Sequence, residues 1–280
     1  MLNQAQIISF SRLNVLTSCA EKYRNQYILK LKRLEPMPDS MSVGKFIDQA
    51  LGSVGSERIV TFDDFLSENG ISFVDEKWLH FCKGIYFARR NLHKRIFKGQ
   101  KVKLQQPVII ELYDRDTGEL LLNENDDPIS LIGYLDAYNE KKKRIIEIKT
   151  VSKFSDEILK EYRLKGQTQL YTIGIMSLYD LKKIPEVEYI FINKPSIRLK
   201  KKETEQEFFE RMFAAGKEPE ISAEIVQYSE KEIEETIIYF YDLVKHNLSA
   251  EPCKNRNSCL EYGNKCPYFG YCWKDQRLWK

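Results

Sequence analysis

Gly133-Tyr134-Leu135-Asp136 and, further along, Glu147-Ile148-Lys149-Thr150 decide the reading of this chain. Each tetrad sits in an apolar run of strand type, Leu131 to Tyr138 and Ile145 to Thr150, with the charged residues Lys141 to Arg144 between them as a turn. A hairpin built this way brings Asp136 and Glu147 to the same end of a sheet. Side chains alternate along a strand, so Glu147 and Lys149 project together while Ile148 turns into the core. Two carboxylates and an ammonium then share one small volume. Hard oxygen ligands in that arrangement suit Mg²⁺ or Mn²⁺, with the Ile148 carbonyl as a further donor. The lysine can orient an attacking water or stabilise charge on a pentavalent phosphorus. The same short pattern also describes a solvated hairpin edge with a surface ion pair.

Working outward, Pro107 to Tyr113 reads as a strand before the pair, with a turn at Asp116-Thr117-Gly118. A long helix is expected over about 156–178 and an apolar strand over Val187 to Ile192. Three helices are expected upstream: one opening at Ser9 or Ser11 and running to the Glu35-Pro36-Met37-Pro38 stop, one over Met41 to Leu51, and one over Asp75 to Phe97. Downstream, Thr204 to Ala215 reads as helical, and Ser229 with Glu232 forms a capping box for a helix ending near His246. Helices at both ends therefore enclose a central run of strands, an α/β arrangement.

With these pieces in order, the chain resembles the PD-(D/E)XK nuclease superfamily in its RecB-like branch. Gly133-x-x-Asp136 is similar to the strand that delivers the family's first carboxylate, and Glu147-x-Lys149 to its Glu-x-Lys strand. Gln167-Thr168-Gln169-Leu170-Tyr171 resembles the Gln-x-x-x-Tyr signature of the next helix. Gln167 and Tyr171 share one helix face there, which in the family looks toward the active site. Gly44-Lys45-Phe46-Ile47-Asp48 stands where the family typically has Gly-x-x-x-His, so Asp48 replaces the usual histidine ligand. The resemblance implies a metal-dependent DNA nuclease with Asp136, Glu147, Lys149, Gln167 and Tyr171 as catalytic residues. A two-metal Mg²⁺ or Mn²⁺ site would be held by Asp48, Asp136, Glu147 and Ile148, with Glu111 as a weaker additional ligand. The implied fold is a restriction-endonuclease-like α/β core, a central mixed β-sheet flanked by helices, with a C-terminal cysteine-rich cluster-binding cap. One domain over 1–280 is expected: a helical part (1–105), a catalytic core (106–195), an extension (196–250) and the cap (251–280).

The tail reads Cys253-x5-Cys259-x6-Cys266-x5-Cys272, which lacks the close cysteine pairs of a zinc ribbon. It resembles the iron–sulfur subgroup of RecB-like nucleases, in which one cysteine on the first helix joins three near the C-terminus around a [4Fe–4S] cluster. That resemblance implies Cys19, Cys259, Cys266 and Cys272 as ligands, with Cys253 spare and zinc in the same thiolates as the alternative. Cys82, in an apolar-rich helix, reads as core.

The chain has 280 residues, 42% of them apolar and 30% charged, and a mean hydropathy of −0.47. This excludes disordered, collagen-like and disulfide mini-protein classes, and no apolar run reaches the ~18 residues of a membrane span. The N-terminus does not read as a secretory signal, so a cytoplasmic setting in a bacterial or phage-infected cell is expected. A formal net charge of +3 gives no general case for nucleic acid. Local basic runs do: Arg89, Arg90, Lys94 and Arg95, and then Lys200 and Lys201, are candidate phosphate contacts for sequence-independent binding to DNA ends. Exonuclease action in recombination, repair or replication is the favoured expectation. The alternatives are a non-catalytic DNA-end-binding module and a redox or electron-transfer protein, and the second leaves the acidic strand pair unexplained.

Overall fold

A computed structural model describes residues 7–34, 37–54, 60–123, 125–248, 254–255, 257–259 and 265–272. The chain enters through β1 (Ile7–Ser9), α1 (Phe10–Ser18) and α2 (Ala20–Tyr23), followed by one π-helical turn, Arg24–Ile28. Three more helices follow: α3 (Asp39–Gly52), α4 (Phe62–Glu68) and α5 (Glu76–Phe97). Then come β2 (Lys103–Glu111), β3 (Ser130–Asn139), β4 (Arg144–Val151), α6 (Asp156–Leu164), α7 (Gln167–Leu178) and β5 (Glu186–Asn193). The chain ends with α8 (Glu205–Lys217), β6 (Ile221–Val226), α9 (Glu230–Leu248) and the short α10 (Phe269–Cys272).

The six strands form one mixed sheet in the order β1-β3-β4-β5-β6, with β2 also paired to β3. β4 and β5 run parallel and are joined by α6 and α7, while β3–β4, β2–β3 and β5–β6 are antiparallel. Apolar layers cover both faces. On β5, Val187, Tyr189 and Phe191 enter a cluster with Tyr171, Ile175 and Tyr228. The alternate residues Ile190 and Ile192 enter a cluster with Val43, Phe46 and Ile47 of α3 and with Phe81 and Ile85 of α5. Period-two alternation buried on both sides is what a central strand requires. No helix of the described residues is long and apolar enough to cross a membrane.

One feature of the pairing opens the site. β2 pairs with β3 almost throughout, but the other edge of β3 is shared: β1 takes Ser130 to Ile132 and β4 takes only Ala137 to Asn139. Beyond Ile146 the strand β4 pairs with β5 alone. β3 and β4 therefore diverge at Asp136 and Glu147, and among the described residues the β3 edge opposite β2 carries no neighbouring strand between Gly133 and Asp136.

Several expectations change. The opening helix is interrupted at Cys19, whose extended backbone (φ −167°, ψ 114°) separates α1 from α2. The helix expected over 156–178 is two helices, because Gly166 takes a left-handed φ of 74° between them, a conformation open to glycine at little cost. β2 begins at Lys103 rather than Pro107, and α4, β1 and the edge strand β6 were not expected. The capping box is formed: Ser229 N and Oγ donate to Glu232, and Glu232 N donates back to Ser229 Oγ at 3.3 Å.

Candidate active site

Where β3 and β4 part, the Ile148 amide donates to Asp136 Oδ2 at 2.6 Å. Lys149 Nζ donates to Glu147 Oε1 at 2.5 Å and to Gln167 Oε1 at 3.0 Å, and Gln167 Nε2 donates to the Tyr171 hydroxyl at 2.7 Å. One polar chain thus runs from the sheet to the first turn of α7. The Tyr162 ring lies below the ammonium, 5.3 Å from Nζ to its centroid, a distance suited to a cation–π contact. Gly133 makes the arrangement fit, since a Cβ there would stand 2.3 Å from Tyr171 Cε1. Ile148 turns to the opposite face and packs with the α3–α5 cluster.

Asp48 enters from α3, which lies close to β4: a Cβ on Gly44 would meet Thr150 Oγ1 at 3.1 Å. Its Oδ1 accepts a 2.6 Å hydrogen bond from Gln105 Nε2 on β2. Asp48, Asp136, Glu147 and Lys149 act on one another electrostatically. Burial, then the Glu147 carboxylate, pushes the Asp136 carboxyl well above its ordinary range. Burial raises Glu147 as well, against the pull of Lys149. Asp48 is raised by burial, opposed by the Gln105 bond and by Lys149. Burial works against the Lys149 ammonium, yet Glu147 and Asp136 outweigh it and hold its pKa up.

Three carboxylates thus face one ammonium, a surplus of negative charge in a low-dielectric setting. Glu147 is 1% exposed, and its second oxygen, Oε2, is buried without a hydrogen-bond partner. A buried carboxyl oxygen in that state is satisfied by a proton or by a bound cation. Oxygen donors of this kind fit Mg²⁺ or Mn²⁺. In the arrangement described, each carboxylate is turned to a protein partner. Among the described residues no three His, Cys, Asp or Glu side chains are grouped around a single ion position.

The remaining candidates separate. Glu111 lies at the far end of β2, opposite Ser130, and accepts from the Tyr113 hydroxyl at 2.7 Å. It is six strand positions from Asp136, about 20 Å along the sheet, so the structure does not bring it to the other carboxylates. Arg89 and Arg90 line a cavity of about 320 Å³ together with Asp48 and Gln105. Arg95 instead donates to the Pro219 carbonyl at 3.1 Å. Lys94 sits in the last turn of α5. Lys200 borders a groove with Glu203, Glu207 and Glu210, and Lys201 is exposed beside it. Gln105 and Tyr162 escape a reading of the sequence, since neither stands in a patterned position.

The second cluster is assembled from the chain ends. Cys19, Cys259, Cys266 and Cys272 line one small cavity, with Lys22, Asn255, Ser258 and Phe269 around them. The Asn255 amide approaches Cys19 Sγ at 3.4 Å and Asn25 Nδ2 approaches Cys272 Sγ at 3.4 Å. Ser258 Oγ and Asn255 Nδ2 both donate to the Ser18 carbonyl, at 2.7 and 2.8 Å. The donor set suits a thiolate-bound centre. Cys82 is buried in the α5 core, and Cys253 lies outside the described residues.

Known proteins match this chain in family and in fold. The family model described as the PD-(D/E)XK nuclease superfamily matches residues 7–273. Among solved structures, a candidate exonuclease from Eubacterium rectale superposes with a TM-score of 0.55 at 12% identity, covering 89% of this chain and 84% of that one. The protein SSO0001 gives a TM-score of 0.42 at 14% identity over 96% of this chain and 86% of that one. A phage-related exonuclease from Haemophilus somnus 129PT gives 0.32 at 13% identity over 79% of this chain and 98% of that one. No curated protein matches the chain.

Proposed function

The chain belongs to the PD-(D/E)XK nuclease superfamily, and from that premise we propose that it is a Mg²⁺- or Mn²⁺-dependent DNA nuclease. It acts as an exonuclease at DNA ends in phage or bacterial recombination, repair or replication. The observation that carries the reading is the unpartnered, buried Oε2 of Glu147 among the carboxylates of Asp136 and Asp48. Asp48, Asp136, Glu147 and the Ile148 carbonyl are the groups that would hold the metal, as a two-metal site. A divalent cation there supplies Lewis acidity and a water of lowered pKa.

The protein's own part follows from the polar chain. Glu147 and Gln167 fix the Lys149 ammonium from two sides, so it meets charge building on a phosphate without having to reorganise. Tyr171 in turn fixes the Gln167 carboxamide. The divergence of β3 and β4 leaves this end of the sheet open to a phosphodiester. Arg89 and Arg90, in the cavity shared with Asp48, are the basic residues best placed for backbone phosphates, ahead of Lys94, Arg95, Lys200 and Lys201. The four cavity-lining cysteines are read as ligands of a [4Fe–4S] cluster that would tie the tail to the first helix, with zinc as the alternative occupant.

Digestion of end-labelled linear DNA and of covalently closed circular DNA tests the reading. Loss of label from the linear substrate in Mg²⁺ or Mn²⁺, none in chelator, and an intact circle are expected. Unchanged linear DNA under every metal condition sinks the proposal, and nicking of the circle removes the exonuclease part.

A further inference from the structure

β2 carries one residue that its strand partners do not explain. Gln105 has φ +48°, a left-handed backbone that residues with a side chain adopt seldom and at a cost. Leu104 pairs with Ala137 and Gln106 with Leu135, so Gln105 stands opposite Asp136, the one position between Lys103 and Glu111 at which the pairing lapses. The side chain leaves the sheet and lies along α3. Its Cγ is 3.9 Å from a Cβ built on Gly52, and its Nε2 donates to Asp48 Oδ1 at 2.6 Å. No other described residue hydrogen-bonds the Asp48 carboxylate.

We propose that Gln105 is the positioning residue of Asp48, its strained backbone aiming the carboxamide that holds the helix carboxylate in one ligand set with Asp136 and Glu147. The inference rests on reading those three carboxylates as cation ligands. Core packing does not demand the conformation, because Gln105 is exposed. A turn does not demand it either, because the strand continues on both sides. What the conformation achieves is the bond to Asp48, and an amide N–H is a donor matched to an ionised carboxylate. With Oδ1 occupied, Oδ2 is left to face a ligand. Outer hydrogen bonds of this type orient metal ligands and are felt in affinity.

The test is Mn²⁺ titration calorimetry on the full chain, paired with thermal melting in chelator, for wild type, Gln105→Gly and Gln105→Leu. Both variants are expected to bind Mn²⁺ about 10-fold or more weakly, the usual effect of losing such a partner. Without metal, Gln105→Gly is expected to melt at or above the wild-type temperature, since glycine enters the left-handed region freely. Gln105→Leu is expected to melt lower, keeping the strain and losing the bond. Wild-type Mn²⁺ affinity in Gln105→Gly overturns the proposal. So does a metal-free Gln105→Gly that melts far below wild type, because the amide would then hold the fold and not the ligand. Equal Mn²⁺ uptake by wild type and Glu147→Ala overturns the cation site itself, and the role of Gln105 with it. No behaviour of the Gln105 variants alone produces that result.

Discussion

Lys149 and Glu147 stand two residues apart on one face of β4, and the lysine Nζ donates to Glu147 Oε1 at 2.5 Å. Glu147 is buried, while the Lys149 side chain keeps 18% of its surface exposed, so only the ammonium reaches the open end of the sheet. The members of the pair are therefore unequal as mutational targets. Removing the lysine leaves a buried carboxylate to take up a proton, whereas replacing the glutamate by glutamine keeps the shape.

Glu147→Gln and Lys149→Ala are each expected to lower the cleavage rate by on the order of 10³-fold or more, the scale on which preorganised charge acts. Glu147→Gln is expected to melt close to wild type. Lys149→Ala is expected to lose about 3 kcal/mol or more, the cost of breaking a buried pair from one side. Single-turnover cleavage together with denaturant unfolding checks both. Turnover near wild type in either variant would remove the pair from the reaction.

The carboxylates also set a pH dependence. Asp136 and Glu147 have folded pKa values raised above their ordinary ones, so the folded state holds protons that the unfolded chain has released. Their contribution to stability is full below the ordinary carboxylate range of about 4 and is lost as pH rises through the raised values. In chelator, Asp136→Asn should therefore gain melting temperature relative to wild type as pH increases. Because Mn²⁺ competes with the same protons, its stabilisation of the wild type should also grow with pH. Melting curves over a pH series, with chelator and with Mn²⁺, check both signs. A gain from Mn²⁺ that does not change with pH would count against this account.

How much of this could be read from sequence follows from what each feature depends on. The β3–β4 pair was legible because alternation and the charged turn at Lys141–Arg144 are local signals, and so was the capping box at Ser229. The break at Gly166 was not. Apolar periodicity runs across it, and only the left-handed φ separates Tyr162 under Lys149 from Gln167 beside it. Gln105 was invisible for a related reason, since a glutamine in a left-handed conformation inside a strand has no compositional signature. Glu111 looked eligible in a linear reading. The register, by placing it opposite Ser130, carries it away from the site. The gap along one edge of β3 begins where β1 ends, and β1, three residues long, is too short for periodicity to detect.

Gly133 gives a packing prediction. A Cβ at that position would lie 2.3 Å from Tyr171 Cε1 and 2.7 Å from its Cδ1. Gly133→Ala should therefore push the ring and, through its hydroxyl, the Gln167 carboxamide. The expected stability loss is about 1–3 kcal/mol, as for an overpacked core. Cleavage should fall on the order of 10²-fold, the scale for a small misplacement of catalytic groups. Tyr171→Phe in the Gly133→Ala background should recover neither, since the clash is with the ring edge and not the hydroxyl. Recovery there would locate the defect elsewhere.

Cys19 lies at the extended break between α1 and α2, and the tail is fixed to the same spot by the bonds of Asn255 and Ser258 to the Ser18 carbonyl. With a [4Fe–4S] cluster, anaerobically purified protein should be brown, with the broad visible charge-transfer bands of iron–sulfide centres. Cys19→Ser, Cys259→Ser, Cys266→Ser and Cys272→Ser should each bleach it and lower the melting temperature, because each weakens the tie between the ends. Cys82→Ala and Cys253→Ser should stay coloured, the first being a core position and the second the spare thiol. Cleavage should fall only as far as stability does, since phosphodiester hydrolysis involves no electron transfer. Iron and zinc analysis on the same samples separates the occupants: one zinc and no iron changes the cofactor and keeps the ligands. Colour that survives Cys19→Ser takes the first helix out of the set.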